Sequence, residues 1–396
     1  MQKDKRLVVT FLVVIFGVFL CIPSKFVLVK MGIMSMNMDN FSEYKEKNEK
    51  NIVDKLNNIV GKMEKTLENK VTNYFPLYNE LNTFYQNVNF ASNKLLFKDV
   101  PIKTNSDGEY IFYDKVNEFY YLTNKYSDEE LDVRLEKQVK FFNELSNKGI
   151  NVNIYVPTRY EFTKLKENNL SKYIDEFVNK LDSKINTRVM NVTSIDEYKK
   201  YFYKTDHHWT IYGALDGYQD ICDMLGIQKL NDLNTMEHKE KKYYGSLAKT
   251  ALNDGINDYI SDVDIKLDYD VYVNGKEADK LFKPREIRLD RDYKYYDYYV
   301  QYFNGQYGSV VYDYHDENKE NLLIVGDSYS WQIDYLIASS FNKTHVINLR
   351  YDKYKNKEFN LSKYVSDNNI SKVLFLYDGG SSIFDQYNYN FEGRVK

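Results

Sequence analysis

The chain has 396 residues, 43% apolar and 16% aromatic, enough for a sizeable core in roughly two to three domain-sized units or one large domain with additions. Its net charge of -4, with lysine and acidic residues interspersed, supplies no basic stripe and argues against nucleic acid as a partner. The two cysteines, Cys21 and Cys222, lie far apart and form no disulfide framework; Cys222 shares helical spacing with Tyr218, Ile221 and Leu225 and reads as a small buried hydrophobe.

At the N-terminus, Lys3, Lys5 and Arg6 precede a charge-free apolar run from Leu7 to Ile22 that stops at Pro23. No small-x-small cleavage site follows, and Leu20 is too large to precede a lipoprotein cysteine, so an uncleaved anchor is favoured over a cleaved signal peptide. The run is slightly short for a span of about 20 residues, but Lys25 and Lys30 can snorkel. The basic flank keeps the N-terminus inside, so a single-pass protein of the cell membrane with an extracytoplasmic domain is expected. From Phe41 to Phe75, Ile52, Leu56, Ile59, Met63, Leu67, Val71 and Tyr74 recur every three or four positions, and Pro76 ends the pattern. This predicts a helix that serves as a stalk, a self-association helix or a docked helix. The resulting division is an anchor over 1–30, a helical segment over 31–94 and a main domain over 95–396.

Within the main domain, Ser127 and Glu130 form a capping box before a helix that turns Leu131, Leu135, Phe142 and Leu145 inward and stops at Gly149. A short strand over 152–156 closes at Pro157, followed by a helix near 171–181 and a strand near 188–192. A further helix carries Leu215, Tyr218, Ile221 and Leu225. Residues 231–317 differ: apolar residues alternate from Val263 to Val273, and Asn274-Gly275 signals a hairpin turn, so an insertion of β character is expected. The α/β rhythm resumes with strands at 322–325, 346–349 and 373–377 and with helical segments after the first and before the last. Short apolar strands alternating with helices predict an α/β fold with a parallel sheet and its site at the carboxyl ends of the strands.

Two strings carry the chemistry. Thr205-Asp206-His207-His208-Trp209-Thr210 holds two of only five histidines, and Gly326-Asp327-Ser328-Tyr329-Ser330 ends an apolar strand. A serine hydroxyl becomes a useful nucleophile when a base takes its proton and a third group orients that base. A Gly-Asp-Ser turn between strand and helix exposes such a hydroxyl beside backbone N–H groups, although a plain capping serine fits the same turn. Asp206 and His208, two apart, share one side of an extended chain, leaving His207 on the other. A divalent metal held by Asp206, His207, His208 and Asp327 competes, as does the DHH phosphoesterase pattern that the triplet resembles. The flanking residues and the N-terminal anchor weigh against that second reading.

Taken together, the two strings and Gly213-Ala214 resemble the DHHW family and the wider SGNH-hydrolase-like AlgJ/AlgX group of alginate O-acetyltransferases. The resemblance spans most of residues 95–390, with specificity only in the motifs. It implies an SGNH, flavodoxin-like α/β/α sandwich with the insertion at about 231–317. It also implies a triad with Ser328 as nucleophile, His208 as base and Asp206 as orienter, in reversed chain order relative to SGNH enzymes generally. The implied activity is extracytoplasmic transfer of acetyl groups to a cell-surface or secreted glycan. The implied acyl donor is a membrane-bound O-acyltransferase partner, with no cofactor and no metal. An esterase acting on the same esters and a non-enzymatic assembly scaffold are the alternatives. Tyr329, Trp209, Arg350 and His207 are the expected substrate contacts, the core being the plainer place for the aromatic ones. The oxyanion donors are unassigned, with the Ser328 N–H and groups near Asn348 or Arg350 as candidates.

Overall fold

The computed structural model describes residues 78–104, 109–123, 126–167, 169–282, 287–351, 354 and 359–384. The expected anchor and the helix over 41–75 lie outside them. No helix among the described residues is long and apolar enough to cross a membrane.

The first described helix, α1 (Tyr78–Leu96), leads into an antiparallel sheet of β1 (Asp99–Thr104), β2 (Tyr110–Asp114) and β3 (Phe119–Thr123). Neither was legible as a separate element in the sequence. Helix α2 (Asp128–Asn147) begins at the predicted capping box: the Ser127 side chain accepts from the Glu130 N–H, and the Glu130 carboxylate accepts from the Ser127 N–H. All four of its predicted inward residues are buried.

The main sheet starts with β4 (Val152–Val156), whose five residues are all buried, as expected of a central strand covered on both faces. Helix α3 (Ser171–Lys180), β5 (Asn186–Val189), α4 (Ile195–Tyr201) and α5 (Ile211–Leu225) follow. Later come β11 (Asn321–Gly326), α8 (Asp334–Ala338), β12 (Lys343–Ile347), α9 (Leu361–Asp367), β13 (Ile370–Leu376) and α10 (Gly379–Phe384). Strands β5, β4, β13, β11 and β12 lie side by side in that order, all parallel. Residues of α2, α3, α9 and α10 pack with one face of this sheet, through Ile154, Leu323, Val325, Ile347 and Phe375. Those of α5 and α8 pack with the other, through Tyr155, Leu322, Ile324, Val346 and Leu374. This is the expected α/β/α layering.

Counting the parallel strands from β11 gives the spatial order 2-1-3-4-5, the flavodoxin-like order, with β4 and β5 as fourth and fifth. The chain enters that sheet at its fourth strand, which is why the histidine string precedes the serine string.

The segment 231–317 holds β6 (Asn234–Tyr243), α6 (Ser246–Ala251), β7 (Asp258–Asp264), β8 (Asp270–Val273), β9 (Lys276–Glu277), α7 (Asp279–Phe282) and β10 (Ser309–Asp313). Asn274 and Gly275 both take positive φ, 49° and 81°, and join β8 to β9 as the turn signal predicted. The alternating stretch 263–273 is not one strand: it breaks between β7, which pairs with β6, and β8. Strand β10 runs antiparallel to both β12 and β8, so the segment widens the main sheet to eight strands.

Candidate active site

Ser328 follows β11 at its carboxyl end, where the spatial order reverses between β11 and β13, the usual place for a site in an open α/β sheet. The turn is pinned from within: the Asp327 carboxylate accepts from the Tyr329 N–H at 2.9 Å, and the Ser330 hydroxyl donates to the Asp327 carbonyl at 2.9 Å. Ser328 itself is half-buried, while Asp327, Tyr329 and Ser330 are buried. The helix predicted from Trp331 onward begins as a short 3-10 turn, Ser330–Gln332, before α8.

The histidine string occupies a tight loop between α4 and α5 rather than an extended strand. A bridge between Phe202 and Trp209 closes it, and Thr210 caps α5 through the Gly213 N–H. Gly213 has to be glycine: a Cβ there would lie 2.4 Å from the Tyr201 carbonyl oxygen. Asp258, on β7, anchors the start of the loop by accepting from the Thr205 N–H at 2.7 Å and the Thr205 hydroxyl at 2.6 Å.

This loop brings Asp206, His208 and Ser328 into one chain of hydrogen bonds. His208 Nδ1 lies 2.6 Å from Asp206 Oδ1, and His208 Nε2 lies 2.6 Å from Ser328 Oγ. An ionised Asp206 only accepts, so Nδ1 carries the ring proton and Nε2 accepts from the serine hydroxyl. The backbone N–H of His208 also donates to Asp206 Oδ1, at 3.1 Å, which turns both side chains to one side without an extended backbone. The other carboxylate oxygen accepts from the Tyr243 hydroxyl at 2.8 Å and the Ser246 N–H at 2.6 Å. Burial works against the Asp206 charge, yet His208, His207 and the Ser246 N–H hold its carboxyl well below the usual range. The ligand atoms of Asp206, His207 and His208 lie within 4.8 Å of one another, a spacing a metal could use. Both ring nitrogens of His208 are, however, already engaged, Nδ1 by Asp206 and Nε2 by Ser328.

His207 is 27% exposed at the rim, with Nδ1 2.9 Å from the Ser246 hydroxyl. Burial and neighbouring His208 push its ring well below the usual histidine range, so it stands neutral. Two expected substrate contacts need correction. Trp209 and Tyr329 are completely enclosed, at 0% and 1% exposure, and pack edge to face with ring centroids 5.4 Å apart. The Tyr329 hydroxyl donates to the His207 carbonyl. These rings support the loop from beneath and present no face to a ligand. Arg350, half-buried, donates from N and Nε to Asn348 Oδ1 at 3.1 and 3.4 Å.

Three features have no motif in the sequence that ties them to the two strings, although the stretch from Tyr293 to Tyr299 stands out there as aromatic-rich. Tyr243 and Ser246 hold Asp206 from the segment after α5. Tyr299, the last residue of a tyrosine-rich stretch that begins at Tyr293, lies flat on the His208 ring, centroids 3.8 Å apart and planes 11° apart. Behind the serine turn, Arg159 binds Glu161 at 2.8 Å, Glu109 at 3.5 Å and Asp378 at 3.4 Å, all four side chains buried. Burial, with Glu109 and Asp378 adding to it against the pull of Arg159, pushes Glu161 up to about 7. Burial and then Asp378 raise Asp327 in the same way.

No protein-family model matches the chain, and no curated protein matches it. Solved structures do. Bacillus cereus PatB1 with a sulfonyl adduct aligns at a TM-score of 0.56 and 19% identity, covering 72% of this chain and 100% of its own. A DHHW family protein from Eubacterium siraeum aligns at 0.56 and 18%, covering 75% and 98%. The O-acetyltransferase domain of Pseudomonas putida AlgJ reaches only 0.35, too low to carry an argument. From Asn89 onward, the unit that holds both strings has the mixed α/β fold of PatB1 and of the DHHW family protein.

Proposed function

We propose that the chain is an O-acyltransferase that moves acetyl groups onto a glycan hydroxyl through an acyl-serine intermediate on Ser328. The hydrogen-bonded chain Asp206–His208–Ser328 carries this reading. As Ser328 Oγ attacks the carbonyl carbon of the acetyl donor, its proton passes to His208 Nε2, and Asp206 steadies the imidazolium. The tetrahedral adduct collapses, and His208 returns the proton to the leaving group. A glycan hydroxyl then gives its proton to His208 and attacks the acetyl-serine, and Ser328 leaves reprotonated.

Two groups suit the oxyanion. The Ser328 N–H has no partner among the described residues. Asn348 Nδ2 is buried without a hydrogen-bond partner. Register pairs Val325 with Ile347, so Asn348 follows on the strand beside the serine turn, and alternation puts it on the face of Val346, Tyr299 and Trp331. Half-buried Ser328, His207 and Arg350 are the open groups at this rim and the proposed contacts for acceptor and donor.

The acyl donor in this reading is a membrane-bound O-acyltransferase, and the chain is held outside the membrane by its N-terminal run. Both follow from the sequence string and the family resemblance. PatB1 bears a sulfonyl adduct, and sulfonyl groups transfer to activated nucleophiles, which is the property proposed for Ser328.

An aryl sulfonyl fluoride tests the nucleophile. Ser328 Oγ displaces fluoride at sulfur, its proton going to His208, and the adduct is located by peptide mass. Labelling confined to Ser328 and abolished in Ser328→Ala is expected; equal labelling of Ser328→Ala would overturn the assignment. In cells, Ser328→Ala at normal protein level should lower glycan acetylation. A rise would identify an esterase, and no change a scaffold.

A further inference from the structure

Tyr299 touches two members of the candidate triad at once. Its ring stacks on His208 as described, and its hydroxyl donates to the Ser328 carbonyl at 3.1 Å and faces Gln332 Oε1 at 3.4 Å. The ring is 1% exposed and cannot be swung aside by substrate. Tyr302 packs edge-on against it, centroids 5.0 Å apart, and Trp331 lies 6.1 Å away, so its plane is fixed from both sides. The Asp297 carboxylate accepts from the Tyr299 N–H at 3.1 Å and sets the short turn that presents it.

From this geometry we infer that Tyr299 is a positioning residue: its ring face favours the protonated form of His208, and its hydroxyl holds the backbone of the nucleophile in register with the base. The ring face carries the negative part of the aromatic quadrupole, so an imidazolium gains on it what a neutral imidazole does not. The gain appears only after the serine proton has moved to His208. It therefore acts on the transition state more than on the resting enzyme. The inference rests on the acyl-transfer reading for its catalytic meaning, but its first half concerns only the protonation of His208.

Other groups face His208, and the test has to hold them constant. Asp206 and His207 come from its own loop, Asp297 from the turn that carries Tyr299, and Asp327, Ser328 and Tyr329 from the nucleophile turn. A series at position 299 leaves them in place: Tyr299→Phe, then difluoro- and pentafluorophenylalanine. These rings are nearly the same size, and they differ in the charge on the face.

Two readouts are followed across the series in the full chain. One is the titration of the His208 ring by NMR, assigned by comparison with His208→Gln. The other is the pH profile of Ser328 labelling by an aryl sulfonyl fluoride. Tyr299→Phe should keep the midpoint of the wild-type protein and label a few-fold more slowly, because the Ser328 carbonyl has lost its hydroxyl donor and keeps only the longer bond from the Trp331 N–H, at 3.4 Å. Fluorination should then move the midpoint down stepwise, by about half a unit to one unit in total, and lower the labelling plateau further. A midpoint that stays put, or moves up, overturns the inference while leaving Ser328 as nucleophile. A wild-type protein in which Ser328 does not label overturns the acyl-transfer reading, and the NMR series still decides the role of Tyr299.

Discussion

Asp206→Asn is the sharpest perturbation of the proposed relay, because the carboxylate accepts four hydrogen bonds and an amide can accept on one end only. Oδ1 takes the His208 ring and backbone N–H groups; Oδ2 takes the Tyr243 hydroxyl and the Ser246 N–H. If the amide nitrogen sits at Oδ1, it faces the His208 backbone N–H and forces the ring proton onto Nε2, where it blocks acceptance from Ser328. If it sits at Oδ2, the Tyr243 hydroxyl can rotate to accept, but the Ser246 N–H cannot. Either way one backbone N–H is left unpaired, buried at His208 or part-buried at Ser246, at about 1–3 kcal/mol of stability. In the first orientation the tautomer is wrong and the rate should fall by about 10⁴-fold. In the second the tautomer survives but the charge opposite the imidazolium is gone, and a loss nearer 10²-fold is expected, comparable to removing general-base assistance. The assay is Ser328 labelling at neutral pH beside urea unfolding. Asp206 also has a pH signature. A carboxyl held below its unfolded value adds stability above about pH 4 that is lost as pH falls further, so Asp206→Asn should show a shallower acid decline. Labelling within tenfold of wild type, at unchanged stability, would refute the relay.

Three further substitutions probe what surrounds the relay. Tyr243→Phe fits the same space and removes one hydrogen bond to a buried charge, so about 1.5–3 kcal/mol of stability and roughly tenfold in labelling rate should go, read by urea unfolding and labelling. Gly245→Ala would set a Cβ 2.4 Å from Asp206 Cβ and 2.5 Å from Oδ2; it should displace the carboxylate, destabilise by about 1–3 kcal/mol and slow labelling more than Tyr243→Phe does. Glu161 sits at about 7 when folded, so the native state holds an extra proton between roughly pH 4.3 and 7 and loses stability as pH rises through that window. Glu161→Gln should match the wild-type unfolding free energy near pH 4 and exceed it at pH 8, by up to about 3 kcal/mol, read by urea unfolding; equal values at both would show that Arg159 already compensates the charge.

The parts legible in the sequence are those whose cause is local. The Ser127–Glu130 box, the apolar runs of β4 and β11, and the Asn274-Gly275 turn each carry their signal within a few residues, and each forms as read. The sheet of β1, β2 and β3 does not announce itself, because its strands, aromatic-rich in β2 and β3, gain their preference from pairing and burial rather than from a period in the chain. The same holds for β10, which becomes part of the main sheet only by meeting β12. At the candidate site, the two strings supply Asp206, His208 and Ser328, which hydrogen bonds join in the structure. Tyr243 and Ser246 reach Asp206 from 37 and 40 residues away, and no pattern marks them. Trp209 and Tyr329 mislead for the opposite reason: an aromatic beside a reactive residue reads as a ligand contact, but the tight loop and turn that place His208 and Ser328 need a large buried ring beneath them.

The order of strands accounts for the size of the segment between α5 and β11. Counted from β11, the sheet is a 2-1-3-4-5 arrangement, but the chain builds strands four and five first and must then cross to strand one. That crossing passes the carboxyl edge, where both strings lie, and the chain uses it to build a wall. Asp258 pins the histidine loop, Tyr243 and Ser246 saturate Asp206, and Tyr299 covers His208. The wall leaves the Asp206 side chain 1% exposed and the His208 side chain 9% exposed, while Ser328 and His207 stay half-open. Water is kept from the Asp206–His208 hydrogen bond, where screening would weaken it, and admitted at Ser328, as the proposed acyl transfer requires. A chain that began with β11 would not need this crossing, so the segment that reads as an insertion is, in this topology, the connection that completes the site.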